Sequence, residues 1–141
     1  MPLHRLLTLL VCAVLVAGCG SQPAATQEFE GQERAIADTV EDIQRAAERR
    51  EADRICRDFV SAELAERIGA GGTDCVDELR KAIADAAVVE LEVQDIEIQA
   101  GGRTATARVR GDGERETVRE FSFVRGGDPE RWRVESFGTS G

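Results

Sequence analysis

Apolar residues follow three successive rhythms along this 141-residue chain. From Leu6 to Val16 they run continuously, broken only by Thr8. From Glu33 to about Ala86 they recur at the 3.6-residue period of a helix, and from Val88 to Phe137 they alternate with polar residues, as in a half-buried strand.

The helical part opens with Ile36, Val40, Ile43 and Ala47 at i, i+4, i+7 and i+11, one apolar stripe opposite a charged face. Glu41 and Arg45 are spaced as a supporting i,i+4 pair. The pattern continues through Glu51–Val60, where Ala52, Ile55, Cys56 and Phe59 share a side. Ser61 is suited to cap a short helix carrying Leu64 and Ile68. Gly69-Ala70-Gly71-Gly72 ends it. Thr73 or Asp74 then caps a further helix with Val76, Leu79, Ile83 and Ala86 inward.

The alternating part predicts four strands. Val89, Leu91 and Val93 share one parity; Ile96 and Ile98 have the other, so a bulge near Gln94-Asp95 is needed to return them to one face. Gly101-Gly102 makes a turn. Ala105, Ala107 and Val109 then alternate with Thr104, Thr106, Arg108 and Arg110, and Asp112-Gly113 makes a second turn. Val118 to Val124 places Phe121 and Phe123 on one face. Gly126-Gly127-Asp128-Pro129 makes a third turn before Trp132, Val134 and Phe137. Tight turns between such strands make an antiparallel meander. Helices followed by an antiparallel sheet predict an α+β fold with N-terminal helices packed on a curved four-stranded sheet. A sheet bare on both faces would leave Leu91, Phe121, Phe123 and Trp132 in water.

The leading apolar run changes the picture of where this domain works. Arg5 and His4 precede it, and Val16-Ala17-Gly18-Cys19 follows. A positive start, an apolar core of about ten residues and small residues at the end have the form of a secretory signal, too short for the roughly 20 residues that span a bilayer. The ending resembles the lipobox of bacterial lipoproteins: an aliphatic residue, two small residues and Cys. That resemblance implies that residues 1–18 are removed and that Cys19 becomes a diacylglyceryl-bearing N-terminus. It places the protein on the extracytoplasmic side of the cell membrane, its partner the membrane itself through that lipid. An ordinary signal peptide with an incidental Cys19 is the alternative. One acyl chain binds a membrane reversibly; two or three hold firmly. Cys12 would leave with the leader. Gly20 to Gln32 is small and polar, so residues 19–32 read as a lipidated Cys and flexible tether reaching roughly 20 Å. Residues 33–138 then form the single domain.

Without residues 1–18, which hold one Arg and no acid, 17 basic and 27 acidic side chains remain, a formal charge of −10. So acidic a chain lacks the footprint of a nucleic-acid binder. His4 is the chain's one His, and Tyr and Asn are absent. A mature chain beginning at Cys19 therefore holds no His base, no Ser–His or Cys–His pair and no His metal site, and no cofactor is expected. Chemistry would rest on carboxylates, Ser, Thr, Arg or Lys81. Cys56 and Cys75 lie 19 positions apart. Outside the cytoplasm an even pair reads as a disulfide. A metal pair lacks His partners, and a redox pair lacks the Cys-x-x-Cys spacing.

The helix AIADTVEDIQRAAERREADRICRDF, the two cysteines, the strands VVELEVQDIEI and TATARVR, and the ending ERWRVESF together resemble the NTF2-like, cystatin-like superfamily. More narrowly, they resemble its small lipoproteins from high-GC Gram-positive bacteria; the abundance of Arg, Ala and Gly over a single Lys agrees. The resemblance spans about Glu33 to Phe137, with Trp132-Arg133-Val134 matching the usual last strand. It implies a cone whose mouth holds a small apolar ligand. Its ketosteroid isomerases and SnoaL-like cyclases use a Tyr, Asp or His in the cone; with no Tyr and no His after Cys19, that machinery does not carry over to this chain.

Three sets of side chains are candidates for a site. Phe121, Phe123 and Trp132 are able to floor a pocket or simply to fill the core. Asp95, at the bulge, is re-aimed by it or is a plain turn residue. Arg108, Arg110 and Arg119 form an outer basic patch or pair across strands with Glu116 or Glu120. Glu90 and Glu92 read as solvated. The expectation is a non-enzymatic envelope domain binding a protein partner or a small apolar ligand. An isomerase or cyclase using a buried carboxylate, and a sensor acting on an adjacent membrane protein, are the other two readings.

Overall fold

The computed structural model describes residues 28–86, 90–112 and 117–138. The leader, Cys19, residues 20–27 of the tether, Val88, Val89, Gly113 and Glu116 lie outside the described residues. Helices come first: α1 (Gly31–Glu48), α2 (Ala52–Arg54) running into a π-helical turn at Ile55–Phe59, α3 (Ala62–Ile68) and α4 (Cys75–Asp85). Strands β1 (Glu90–Ile98), β2 (Thr104–Asp112), β3 (Thr117–Gly126) and β4 (Arg131–Ser136) follow. They pair antiparallel in the order β1-β2-β3-β4, giving an α+β fold on a four-stranded meander.

Helix α1 begins at Gly31, two residues inside the segment expected to be tether. It buries Ile36, Ala37, Val40, Ile43 and Ala46. Ala46, completely buried, replaces the expected Ala47 as the end of the stripe. Buried Thr39 is satisfied within the helix, its Oγ1 donating to the Ala35 carbonyl at 2.9 Å. Arg45 pairs with Asp42 at 2.5 Å rather than with Glu41, which lies 3.8 Å from Arg34.

The helical pattern expected to run on through Glu51 is interrupted by a left-handed cap. Arg50 has φ 61°. Its N–H donates to the Ala47 carbonyl at 2.9 Å, and the Glu51 N–H donates to the Ala46 carbonyl at 2.8 Å. This pair of bonds closes a helix in the manner usually reserved for glycine. Arg supplies the same bonds while placing a Cβ in the left-handed region.

Of the two further caps, Ser61 acts as expected: the Leu64 N–H donates to its Oγ at 3.1 Å. Asp74 rather than Thr73 caps α4, accepting from the Asp77 N–H at 2.8 Å. Helix α4 is shallower than its period suggested. Cys75 is its one buried residue among those described; Val76, Leu79 and Ile83 are half-buried and Ala86 is exposed. It packs chiefly on α2 and α3, a narrow support, which leaves much of its stripe at the surface.

The sheet's register explains its two-faced character. Val93 faces Val109 and Asp95 faces Arg108, so Gln94 is the extra residue of a bulge at the expected place. Past it, Ile96 returns to the inner face beside Ala105, Ala107, Val109, Phe121, Phe123, Trp132 and Val134, all buried. Gly101 and Gly102, at φ 96° and 66°, make the turn between β1 and β2. A second irregularity lies where β3 meets β4 between Ser122 and Phe123. It sets Ser122 against Ser136, hydroxyls 2.7 Å apart, and Phe137 edge-on to Phe121 with ring centres 5.2 Å apart. Helix α1 lies on this inner face, against β1 and β4. The segment after the π turn is tied to β4, Val60 bridging Val134 and the Ser61 N–H donating to the Val134 carbonyl at 2.8 Å.

The strained cap yields a test. Arg50→Gly is expected to stabilise the domain by about 1 kcal/mol, because glycine adopts the left-handed conformation without the Cβ penalty. Thermal or urea unfolding measures it; an unchanged or lowered midpoint contradicts the cap geometry.

Candidate functional site

Cys56, in the π turn, is disulfide-bonded to Cys75, the first residue of α4, with Cα atoms 6.1 Å apart. Cys75 is buried and Cys56 half-buried. The bond encloses α3 and the glycine loop and holds the outlying α4 to the segment beneath it. Closing a loop of 19 positions stabilises a fold by roughly 3 kcal/mol in the chain-entropy model. Beside it, the Arg54 guanidinium lies 5.5 Å from the centre of the Phe59 ring and bonds Glu51 at 3.2 Å.

The residues considered as a pocket floor belong to the core. Phe123 is completely buried, and Phe121 and Trp132 nearly so, in one cluster with Ile36, Val40 and Val134. Asp95 is exposed and of outward parity, because Gln94 takes up the extra bulge position and Ile96 points in. The structure therefore does not bring Asp95 together with the three aromatics.

The arginines considered as an outer patch divide between the faces. Arg110 stands opposite Glu92 and pairs with it. Arg108 lies in register between Asp95 and Glu120. Arg119 stands opposite buried Val109 and so has inward parity, at an exposed position of the sheet. The outer face is thus acidic and basic in alternation rather than a continuous basic surface.

A recess that the sequence pattern did not disclose lies between the end of α1 and α4. Partly open to solvent, it has a volume of about 360 Å³ and is lined, among the described residues, by Arg50, Arg80, Ile83 and Ala84. Arg80, Ile83 and Ala84 fall at i, i+3 and i+4, on one face of α4, and Arg50 is brought to the rim by its left-handed cap. Arg80 bonds Asp77 at 2.6 Å, with both side chains more than half exposed. The one sequence cue was the shift in the apolar stripe between Ala47 and Ala52.

Among the described residues, two ionisable groups depart from their ordinary behaviour. The Glu78 carboxyl is held below its ordinary pKa, first by the Thr73 hydroxyl donating at 2.6 Å and then by Lys81 at 3.0 Å. The Arg57 guanidinium is raised, mainly by its hydrogen bonds with Asp58. Among the described residues no group of three or more His, Cys, Asp or Glu side chains is arranged to hold a metal ion, and no helix is long and apolar enough to cross a membrane.

The class defined by these observations is a disulfide-stapled α+β domain: helices on one face of an antiparallel meander, with a small recess lined by two arginines between the end of α1 and α4. No family model, curated protein or solved structure matches the chain.

Two outcomes are expected. Because the folded-state pKa of Glu78 is lowered, its contribution to stability is present above the unfolded carboxylate value and lost as pH falls through the folded one. Thr73→Ala should move the Glu78 midpoint back toward the ordinary value in a side-chain carboxyl NMR titration; an unmoved midpoint removes the hydroxyl as the cause. Replacing both cysteines, Cys56→Ser with Cys75→Ser, should cost roughly 3 kcal/mol in urea unfolding, and non-reducing mass spectrometry of the native chain should show the two joined.

Proposed function

We propose that this chain is a lipid-anchored extracytoplasmic protein whose domain works by binding a small ligand or a protein partner. The observation that carries the anchor is Val16-Ala17-Gly18-Cys19 behind an apolar run of signal length. The Cys56–Cys75 bond supports the location, since such bonds persist in oxidising compartments. The mixed outer face of the sheet and the mature charge of −10 favour a small-molecule or protein partner over nucleic acid.

The same architecture supports reading the domain as an NTF2-like cone. A long first helix covers the inner face of a bulged, four-stranded meander, and the last strand carries Trp132-Arg133-Val134. The isomerase or cyclase reading needs a carboxylate inside the cone. Asp95, the residue considered for it, stands exposed with outward parity, which favours binding over catalysis.

The anchor is tested directly. In the native host the full chain is expected to label with radioactive palmitate and to sediment with membranes, while Cys19→Ala should be unlabelled and soluble. A Cys19→Ala protein that stays in the membrane fraction overturns the proposal.

A further inference from the structure

We propose that the recess between the end of α1 and α4 binds an amphipathic anion: a carboxylate or phosphate ester on an apolar body, held by Arg50 and Arg80 with its body against Ile83 and Ala84. This deepens the binding reading above by naming a site and a ligand class, and it does not depend on the anchor.

Three observations converge on it. The first is composition. A chain with 27 acids and 18 bases has here a concavity lined, among the described residues, by two arginines, one isoleucine and one alanine, with no acid among them. A volume of about 360 Å³ is at the small end of the range for ligand pockets. Guanidinium forks match carboxylate and phosphate oxygens in pairs, and the apolar wall discriminates against inorganic ions.

The second is the backbone. Arg50 occupies the left-handed cap of α1, where glycine would be more stable. Its side chain gives the fold nothing visible in return, since the described structure shows no ion pair or hydrogen bond from its guanidinium. The strained position does, however, set Arg50 among the residues that line the recess. Residues kept in unfavourable backbone regions cluster at binding sites.

The third is the neighbouring charge. Among the described residues Arg80 is engaged by Asp77, in an exposed i,i+3 pair. Such pairs are weak enough for an incoming anion to share or displace them. The disulfide at Cys75, one turn and more before Arg80, ties the start of α4 to the π turn that follows α2, and α4 packs on α2.

The test uses the full chain, purified in nonionic detergent micelles, with NMR of the Ile83 methyl and arginine Nε–H signals. The probes are hexanoate and hexyl phosphate; hexanol and hexyltrimethylammonium control for the tail and for the sign of charge. Both anions should shift the Ile83 and Arg80 signals saturably, and the controls should not. Arg50→Gly and Arg80→Gln should each weaken binding about tenfold, the loss of a charge-assisted contact. Arg50→Gly keeps the backbone in its preferred region, so a lost response there is not lost folding.

A second arm replaces micelles by vesicles of phosphatidylcholine with or without phosphatidylglycerol. Shifts of the same signals only with phosphatidylglycerol identify a lipid headgroup as the source of the anion; shifts with the soluble anions identify a free one. Equal shifts with hexanol, unchanged affinity in both variants, or no response to either anion source would overturn the site. None of those results bears on Cys19, and failure of the anchor leaves the recess standing.

Discussion

Everything in this domain depends on covering the inner face of the sheet. Phe123 and Val134 are wholly buried, as are Ile36 and Ala46 of α1. Each large apolar side chain so buried contributes about 1.5–3 kcal/mol. A four-stranded meander alone would leave that face wet. Helix α1 provides the cover, and the small Ala105 and Ala107 of β2 lie in the same core as its stripe. Because one face is dry, the other is free to carry Glu92, Arg108, Arg110 and Glu120 in cross-strand alternation. The tie between Val60 and Val134 then fixes the helical segment after α2 to the far edge of the same sheet.

Helix α4 stands outside that core, and the disulfide is the physical answer. Its apolar side chains reach only half-burial, so packing alone holds it weakly. A covalent link at its first residue restricts the unfolded chain and keeps its exposed face beside the end of α1. The recess is a product of this arrangement. It arises where a helix that is stapled rather than submerged meets a helix that ends in a left-handed arginine.

What was legible in the sequence was local. The parity change between Val93 and Ile96 called for a bulge near Gln94-Asp95, and the register assigns it to Gln94. Ser61 announced its helix by capping chemistry, and the Gly101-Gly102 turn by its demand for positive φ. Cys56 and Cys75 were readable as a pair from compartment and count. The illegible features depend on tertiary depth or on register. The period of Val76, Leu79 and Ile83 is that of a core helix, and nothing in the period says how deep it sits. Arg119 seemed to share a face with Arg108 until the register set it opposite Val109. Arg50 carried no glycine cue for the cap it forms, so the shift in the apolar stripe between Ala47 and Ala52 was the one trace of the recess. Asp95 stands apart from the aromatics for a related reason: the inner face is filled by its own side chains, and past the bulge Asp95 has outward parity.

Native-state hydrogen exchange measures this division of labour most directly. If α1 and the central strands form one core to which α4 is attached, the amides of Val40, Ile43, Ala107 and Phe123 should exchange through a common global opening. The amides of Ile83 and Ala84 should open at a clearly lower free energy, in a separate sub-global step. Val40 and Ile43 exchanging well before Phe123 would contradict the account, since the sheet would then keep its protection without the helix said to cover it.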